Sequence, residues 1–223
     1  MADRFSSPTV AVARFVAQRA LLKPVVWMLV APTVVGRGHL DRVGKAFVVV
    51  ANHASHLDAP LILGALPRRL ARYLATGAAA DYFFDVAWRR GLTALFFNAF
   101  PVDRSGGNPR RVSAKTLLRR GVPLLVFPEG TRSRSGVLGT FRAGAAALAA
   151  ATDAPCLPVA LIGTRNAHPS GSNWPKWGRL PVRVVFGAPM TVAEGETPAE
   201  FTARIRSEIV RLLEDHSREG ARS

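Results

Sequence analysis

Residues 46 to 58 read AFVVVANHASHLD, and this stretch decides the fold because an apolar run leads directly into a cluster of polar side chains. Ala46 to Ala51 is short and rich in valine, which is typical of a strand. Ser55 and Asp58 have the S-x-x-D spacing of a helix start, which predicts Ser55 at the N-cap and Asp58 in the first turn. The two histidines, His53 and His56, therefore lie in or beside a turn between a strand and a helix.

The same alternation of strand and helix continues to the end of the chain. Thr197 and Glu200 form the pattern of a capping box, and apolar residues then follow at helical spacing. The pattern predicts an α/β fold, a layered sandwich with a mixed central sheet flanked by helices. The predicted strands are 46–51, 70–76, 100–102, 123–127, 156–162 and 182–187, and the predicted helices before the last one are 57–66, 80–97, 108–120 and 141–152.

Residues 15–35 near the N-terminus are strongly apolar but are broken by two charged residues and two prolines. The longest uncharged run, Pro24 to Gly36, is too short for a helix that crosses a bilayer, which needs about 20 apolar residues. We expect residues 1–38 to be a helical segment in the membrane interface, residues 39–216 to be the main folded domain and residues 217–223 to be a frayed tail. A pair of helices that covers the core is the alternative for residues 1–38.

The chain carries 30 Lys and Arg against 15 Asp and Glu in 223 residues, a net charge of +15. Such a charge favours nucleic acid, an anionic membrane surface or phosphorylated small substrates as partners. The paired arginines lack a recognisable nucleic-acid-binding motif, so we expect no nucleic acid. On an anionic leaflet the basic residues of the N-terminal segment would each add about 1 kcal/mol of binding. These residues are Arg14, Arg19, Lys23 and Arg37.

His53 and Asp58 are the first candidates for chemistry. In a continuous helix their spacing would place them about 140° apart, but in a turn before the helix they can meet. An imidazole with one nitrogen oriented by a carboxylate and the other free to accept a proton is the arrangement of general-base catalysis. Two other interpretations of this pair stay open: Asp58 complements the helix dipole, or the histidines bind a metal. The spacing fits a metal site poorly, and we expect none.

A second polar stretch, VFPEGTRSRSG at 126–136, follows the predicted strand 123–127. Ligands of α/β proteins gather at such strand ends. Gly130 permits close approach to the backbone, Thr131 can donate a hydrogen bond, and Arg132 can bind a phosphate. Arg104 follows another short strand in FPVDRS. Together these residues predict a site for a phosphorylated ligand.

Four stretches in this order, NHASHLD (52–58), NAFPVDR (98–104), FPEGTRS (127–133) and CLPV (156–159), resemble the motif blocks of the glycerolipid acyltransferases. The likeness is greatest to the 1-acylglycerol-3-phosphate acyltransferases. One position departs from the family pattern, because Asn98 stands where the second block usually has glycine. The resemblance implies that His53 is the general base, that Asp58 orients it, and that Arg104, Glu129, Gly130 and Arg132 contact the glycerol phosphate of the acceptor.

The resemblance also implies the reaction. A fatty acyl group would move from acyl-CoA or acyl carrier protein to the hydroxyl of a lysophospholipid, most directly 1-acylglycerol-3-phosphate, giving phosphatidic acid. Neither a cofactor nor a nucleophilic side chain is needed, so Cys156 is expected to be a buried thiol. A peripheral or monotopic enzyme on the cytoplasmic face of the membrane is expected. Other lysolipid, aminolipid or glycolipid acceptors, and a non-catalytic lipid-binding protein, are the alternatives.

Overall fold

A computed structural model of the protein describes residues 5, 7–79, 96–102, 113–133, 135–172 and 174–219. Short apolar runs form strands within this part of the chain, as the pattern predicts. The strands are Ala31–Val35 (β1), Val48–Ala51 (β2), Ala75–Ala79 (β3), Phe100–Val102 (β4), Leu124–Val126 (β5), Cys156–Ile162 (β6) and Pro181–Phe186 (β7).

The strands form one sheet in the order β1-β7-β6-β2-β5-β3-β4. Neighbouring strands are parallel, except that β6 and β7 are antiparallel. The mixed sheet is therefore confirmed. All four residues of β2 are buried at its centre, and β5 and β6 on either side of it run in the same direction. The carboxyl ends of these three strands consequently meet at one edge of the sheet.

Helices cover both faces of the sheet, as predicted. The capping box at Thr197 and Glu200 is confirmed, because the Glu200 N–H donates to Thr197 Oγ1 at 3.3 Å and the Thr197 N–H donates to Glu200 Oε2 at 2.8 Å. The α-helices are Pro8–Ala17 (α1), Lys23–Leu29 (α2), Asp58–Ala65 (α3), Arg68–Ala71 (α4), Ala114–Arg119 (α5), Gly144–Ala150 (α6), Thr164–Ala167 (α7) and Pro198–Glu219 (α8), with a π-helical turn at Gln18–Leu22 and a 3₁₀ segment at Arg37–Arg42.

Two apolar clusters fill the space between the sheet and its helices. One packs β2, β6 and β7 against α2, α3 and α4. The other packs the opposite side of β2, β5 and β6 against α5, α6 and α8. Phe201, Ile205 and Ile209 of α8 are all buried in this second cluster, at the helical spacing seen in the sequence.

The strand predicted at 70–76 is wrong over most of its length. Arg68–Ala71 is a helical turn, and the strand begins only at Ala75. Pro67 at the N-cap starts the turn, because its carbonyl accepts the N–H groups of Leu70 and Ala71 at 3.0 Å. The local proline chemistry thus overrides the apolar pattern of the run. Most of the predicted helix at 80–97 and the beginning of the one at 108–120 lie outside the described residues.

The N-terminal segment differs from the expected helical unit. Residues 8–29 are helical, but Ala31–Val35 is an edge strand of the central sheet, paired with β7. An edge strand tolerates Pro32, because a proline lacks the N–H that an inner strand would need. At the other end, α8 continues to Glu219, past Ser217, where we expected the tail to begin.

Two of the four basic residues that we expected to face a membrane form hydrogen bonds within the protein. Arg14 is 1% exposed, and its guanidinium donates to the Arg72 carbonyl at 3.3 Å. Arg19 donates to the carbonyls of Gly64 and Leu66 at 3.0 and 2.6 Å. These bonds fasten the N-terminal helices to the carboxyl end of α3, the residue after it and the residue after α4. None of the described helices combines the length and the apolar character that crossing a bilayer requires.

Asn98 lies two residues before β4, whose first residue, Phe100, is paired with Gly77 of β3. It is fully buried, its φ is 48°, and its side-chain amide donates to the Tyr73 carbonyl at 3.2 Å. Asparagine adopts this left-handed conformation more readily than other residues that carry a Cβ. Its side chain therefore stabilises a turn.

Replacement of Asn98 should separate backbone strain from the lost hydrogen bond. Both Asn98→Gly and Asn98→Ala remove the bond to Tyr73, but only alanine must hold a Cβ at positive φ. We expect the alanine variant to be about 1 kcal/mol less stable than the glycine variant. Urea unfolding of the two variants measures the difference, and equal free energies of unfolding would contradict this account.

Candidate active site

The first candidate residue, His53, lies two positions beyond the end of β2 and is oriented by Asp58. His53 Nδ1 lies 2.8 Å from Asp58 Oδ2. The Asp58 carboxylate is fully buried, and the same oxygen accepts the N–H groups of Ala54 and Ser55 at 2.7 and 2.8 Å. Because this oxygen acts as the acceptor for both backbone groups, we assign His53 Nδ1 as the donor in its bond to Asp58. The lone pair of the neutral ring is then on Nε2.

The helix start differs from the prediction in one detail. α3 begins at Asp58 with Leu57 at the N-cap, so Ser55 is not the N-cap. Its Oγ instead accepts the Leu57 N–H at 3.2 Å and donates to the His168 carbonyl at 3.1 Å. The side chain of Asp58 bends back to the N–H groups before the helix, and the tight turn that results brings His53 to Asp58.

Two neighbours of His53 were missed by the sequence analysis. The ring of Phe127, directly after β5, stacks on the His53 ring with centroids 4.0 Å apart and planes 17° apart. Asn52, directly before His53, is the second neighbour. Its side chain donates to the Leu161 carbonyl at 3.0 Å and accepts the Leu161 N–H at 2.7 Å. These contacts hold the His53 turn against β5 and β6. An aromatic residue directly after a predicted strand is the sequence signal that could have indicated the Phe127 contact.

Glu129 has different hydrogen-bond partners from those expected of an acceptor-binding residue. Its Oε1 accepts the backbone N–H of His53 at 2.7 Å, and its Oε2 accepts the N–H of Gly139 at 2.9 Å. The Ser133 N–H donates to the His53 carbonyl at 2.8 Å. Both carboxylate oxygens are engaged, so the structure favours Glu129 as a residue that positions the His53 backbone and the loop that follows.

The structure places Gly130, Thr131 and Arg132 in one loop beside the His53 turn. Gly130 has a φ of 74°, and a Cβ there would lie 3.2 Å from the guanidinium carbon of Arg142. Thr131 is exposed and Arg132 is half-buried. Within the part of the chain that the structure describes, Arg132 has no ion-pair partner. Its charge is thus available to an anionic ligand. Arg104 lies outside the described residues.

Arg132 also influences His56. Part of the His56 side chain is exposed, and its ring lies 5.5 Å from that of His168. Partial burial, and then the positive charges of Arg132, His168 and His53, lower the pKa of His56 to about 4. At neutral pH His56 is therefore an uncharged imidazole beside the site.

Other kinds of site have little support among the described residues. No group of three or more His, Cys, Asp and Glu side chains in that part of the chain could hold a metal ion. The prediction that Cys156 is a buried thiol is confirmed, and burial raises its pKa to about 12. A protonated thiol in the core is a poor nucleophile. Leu157, Pro158 and Val159 are also buried in the sheet, which assigns the fourth motif block a structural role.

A sequence model of the family described as Acyltransferase matches residues 31–162, which include the His53 turn and the loop after β5. The chain belongs to the acyltransferase family. The matched region begins at β1 and ends with β6, so it covers most of the central sheet and every motif block.

Comparisons with single proteins agree with this family. The chain is 32% identical over 141 residues to a 1-acyl-sn-glycerol-3-phosphate acyltransferase of Chlamydomonas reinhardtii, a match of 62% of this chain and 41% of that protein. It is 30% identical over 185 residues to the human 1-acyl-sn-glycerol-3-phosphate acyltransferase alpha, covering 79% of this chain and 62% of the relative. The chain thus spans less than two thirds of the length of these curated relatives.

The fold is also similar to that of a solved structure. The crystal structure of PlsC, the 1-acyl-sn-glycerophosphate acyltransferase of Thermotoga maritima, matches with a TM-score of 0.73 and 25% identity. The match covers 97% of this chain and 84% of that one. It therefore includes the N-terminal helices as well as the sheet.

Replacing Glu129 with glutamine tests its role in holding His53. Glutamine offers one acceptor oxygen for two backbone N–H groups, so the His53 turn or the Gly139 loop loses its bond. We expect kcat to fall about 10- to 100-fold, while KM for the acyl acceptor stays within about threefold. Steady-state kinetics measure the split, with Glu194→Gln as the control, which makes the same change at an exposed glutamate outside the site. A large rise in acceptor KM with unchanged kcat in Glu129→Gln would instead mean direct acceptor contact.

Proposed function

We propose that this protein transfers a fatty acyl group from an acyl thioester to the free hydroxyl of a lysophospholipid, and that 1-acylglycerol-3-phosphate is the acceptor. The observation that carries the proposal is the 2.8 Å contact between His53 Nδ1 and the buried carboxylate of Asp58. Family membership and the names of the curated relatives support the acceptor.

The chemistry follows from the tautomer of His53. With Nδ1–H donated to Asp58, Nε2 accepts the proton of the acceptor hydroxyl. The hydroxyl oxygen attacks the thioester carbonyl, and the tetrahedral intermediate collapses as the C–S bond breaks. The imidazolium then returns its proton to the thiolate, and Asp58 stabilises the imidazolium while it exists. No covalent intermediate on the protein is required.

We assign the phosphate of the acceptor to the loop after β5. Arg132 supplies a charge without an ion-pair partner in the described part of the chain, and Thr131 supplies an exposed hydroxyl next to it. Gly130 lets the loop turn, and Glu129 holds the loop against the His53 backbone. Arg104 is proposed as a further phosphate contact on the strength of the motif alone.

We propose that the enzyme reaches its lipid substrate from the cytoplasmic membrane surface, as a peripheral or monotopic protein. The N-terminal helices present a row of exposed apolar side chains, and the loop before β7 lies beside them, because Arg179 donates to the Trp27 carbonyl at 3.2 Å. In this loop Trp174 is 79% exposed and Trp177 is 97% exposed. Tryptophan is favoured at headgroup depth. The exposed apolar residues of these helices are Val10, Val12, Val16, Leu21, Val25 and Met28.

Substitution of His53 tests the catalytic proposal. His53→Ala should lower kcat at least 10²-fold, because general-base assistance contributes about 10² to 10⁴ in rate. Asp58→Asn should also reduce kcat, since the amide no longer stabilises the imidazolium. Thiol release from a long-chain acyl-CoA, with and without lysophosphatidic acid, measures both.

The same assay identifies outcomes that contradict the proposal. Near wild-type turnover in His53→Ala would remove His53 from the mechanism. A wild-type protein that releases no thiol with any lysolipid, from either acyl-CoA or acyl carrier protein, would favour the non-catalytic lipid-binding protein.

The double variant Trp174→Ser/Trp177→Ser tests the membrane surface. We expect its affinity for phosphatidylglycerol vesicles to fall about tenfold, because two large apolar side chains no longer enter the interface. Vesicle sedimentation measures the change in affinity. The control is Val137→Ser, which removes an exposed apolar side chain from a different loop. Equal losses in the two variants would show that the tryptophan loop has no special part in docking.

A further inference from the structure

Two cations of the N-terminal segment lie at the carboxyl end of α3, which is the end away from the candidate active site. Arg19 donates to the carbonyls of Gly64 and Leu66 at 3.0 and 2.6 Å. The Trp27 ring packs against Gly64, where a built Cβ would lie 2.4 Å from Trp27 Cζ3. The Lys23 ammonium lies 4.8 Å from the centroid of that ring. The charges of Arg19 and Lys23 therefore approach the same turn of α3.

Arg37, in the 3₁₀ segment after β1, adds a third positive charge to this group. Burial, and then the charge of Arg37, lower the pKa of Arg19. Burial, and then the charges of Arg19 and Arg37, lower the pKa of Lys23. We call Arg19, Lys23 and Arg37 the cation cluster. Like charges that are held close together repel one another, so the cluster favours the binding of an anion.

The cation cluster has no carboxylate partner in the part of the chain that the structure describes. Arg19 donates to backbone carbonyls, and Lys23 and Arg37 form no ion pair there. Asp41, the acidic residue nearest to Arg37 in the sequence, is paired with Arg69 at 3.1 Å. Lys23 is half-buried and Arg37 is exposed, so both side chains can meet a ligand at the surface.

An exposed apolar surface lies directly beside the cation cluster. Leu21, Val25 and Met28 are all exposed, and they are separated by four and three residues, the spacing of one helical face. A small phosphorylated metabolite would leave this apolar surface in water, whereas the acyl chains of a phospholipid would cover it. The combination of clustered cations and an apolar border is therefore suited to a phospholipid with an anionic headgroup.

We propose that the cation cluster binds the phosphate of an anionic phospholipid and favours a phosphomonoester headgroup, an inference that rests on the proposed membrane docking. A phosphomonoester has up to two negative charges and three terminal oxygens, which suits three cations better than the single charge of a phosphodiester. This lipid is not the acyl acceptor. The eight residues of α3, about 12 Å in length, lie between the cluster and Asp58.

The headgroup site would also orient the protein on the membrane. Lys23 is the first residue of α2, whereas the loop that contains Trp174 and Trp177 is bonded near the other end of this helix, where Arg179 donates to the Trp27 carbonyl. A phosphate held at one end of α2 and tryptophans inserted near the other would keep the helix along the surface.

A purely structural role is the main alternative for the cation cluster. Cations stabilise the carbonyl end of a helix, and Arg19 does so directly through Gly64 and Leu66. Among the described residues, the side chains of Lys23 and Arg37 donate to no carbonyl. Their charges can consequently be removed without breaking a hydrogen bond of the fold, while Arg19 is left in place.

Vesicle binding at matched surface charge tests the site. Vesicles of phosphatidylcholine would contain either phosphatidic acid or phosphatidylglycerol, adjusted to equal zeta potential, and sedimentation of the full chain measures affinity. The wild type should bind the phosphatidic acid vesicles about tenfold more tightly, and Lys23→Gln/Arg37→Gln should abolish this preference. The control, Lys115→Gln/Arg119→Gln, removes the same two charges from α5 on the opposite face of the sheet and should retain it.

The same experiment includes the outcomes that would overturn the proposal. Equal affinity of the wild type for the two kinds of vesicle, or an equal loss in the control variant, would mean diffuse attraction by the net charge. Inorganic phosphate distinguishes the other source of the same chemistry. It should not displace the protein from phosphatidic acid vesicles at the same concentration of phosphate groups, and full displacement would mean a site for free phosphate.

Failure of this inference is separable from failure of the proposed function. In uncharged detergent micelles Lys23→Gln/Arg37→Gln should acylate lysophosphatidic acid at the wild-type rate, and a large loss of turnover there would contradict a separate headgroup site. Acyl transfer by a wild type without headgroup preference would overturn the site and leave the enzyme standing. A preference that depends on Lys23 and Arg37, in a protein that acylates no lysolipid, would keep the site and overturn the reaction. Circular dichroism and thermal unfolding confirm that each variant is folded.

Discussion

The arrangement of the site depends on one buried carboxylate. Asp58 Oδ2 receives three donors, His53 Nδ1 and the N–H groups of Ala54 and Ser55, within 2.8 Å. Burial of a charged group is costly unless such partners are present. The turn therefore has little freedom to open, and the imidazole is held in a defined orientation and tautomer before any substrate binds.

Three parallel strands surround this turn and explain why it can be so rigid. β2 lies between β5 and β6, so the residues after β2 have a partner on each side. On one side Asn52 bonds to Leu161 of β6, and on the other Glu129 and Phe127, after β5, contact His53. The His53 turn and the loop after β5 are consequently one hydrogen-bonded unit.

The same topology shows which residues of the motif blocks stabilise the fold and which lie at the candidate site. Asn98 opens the second block, yet it lies buried two residues before β4 and stabilises a turn through Tyr73. Its difference from the usual glycine thus concerns backbone conformation. The N-terminal segment is likewise part of the domain, because β1 pairs with β7 and Arg19 binds the carboxyl end of α3 and the residue after it. An apolar surface that is fastened to the sheet in this way holds any bound lipid at a fixed height relative to His53.

Local patterns were sufficient for much of this protein. Short apolar runs predicted β2 and β6, and the spacing from Thr197 predicted the start of α8. The four motif blocks indicated both the family and the pairing of His53 with Asp58. Local patterns failed where a partner distant in sequence decides the outcome. Ala31–Val35 is a strand because β7 pairs with it, and Arg14 is buried because the Arg72 carbonyl lies opposite. The positioning role of Glu129 and the cation cluster at the end of α3 also required the tertiary structure, since both arise where chain segments far apart in sequence meet.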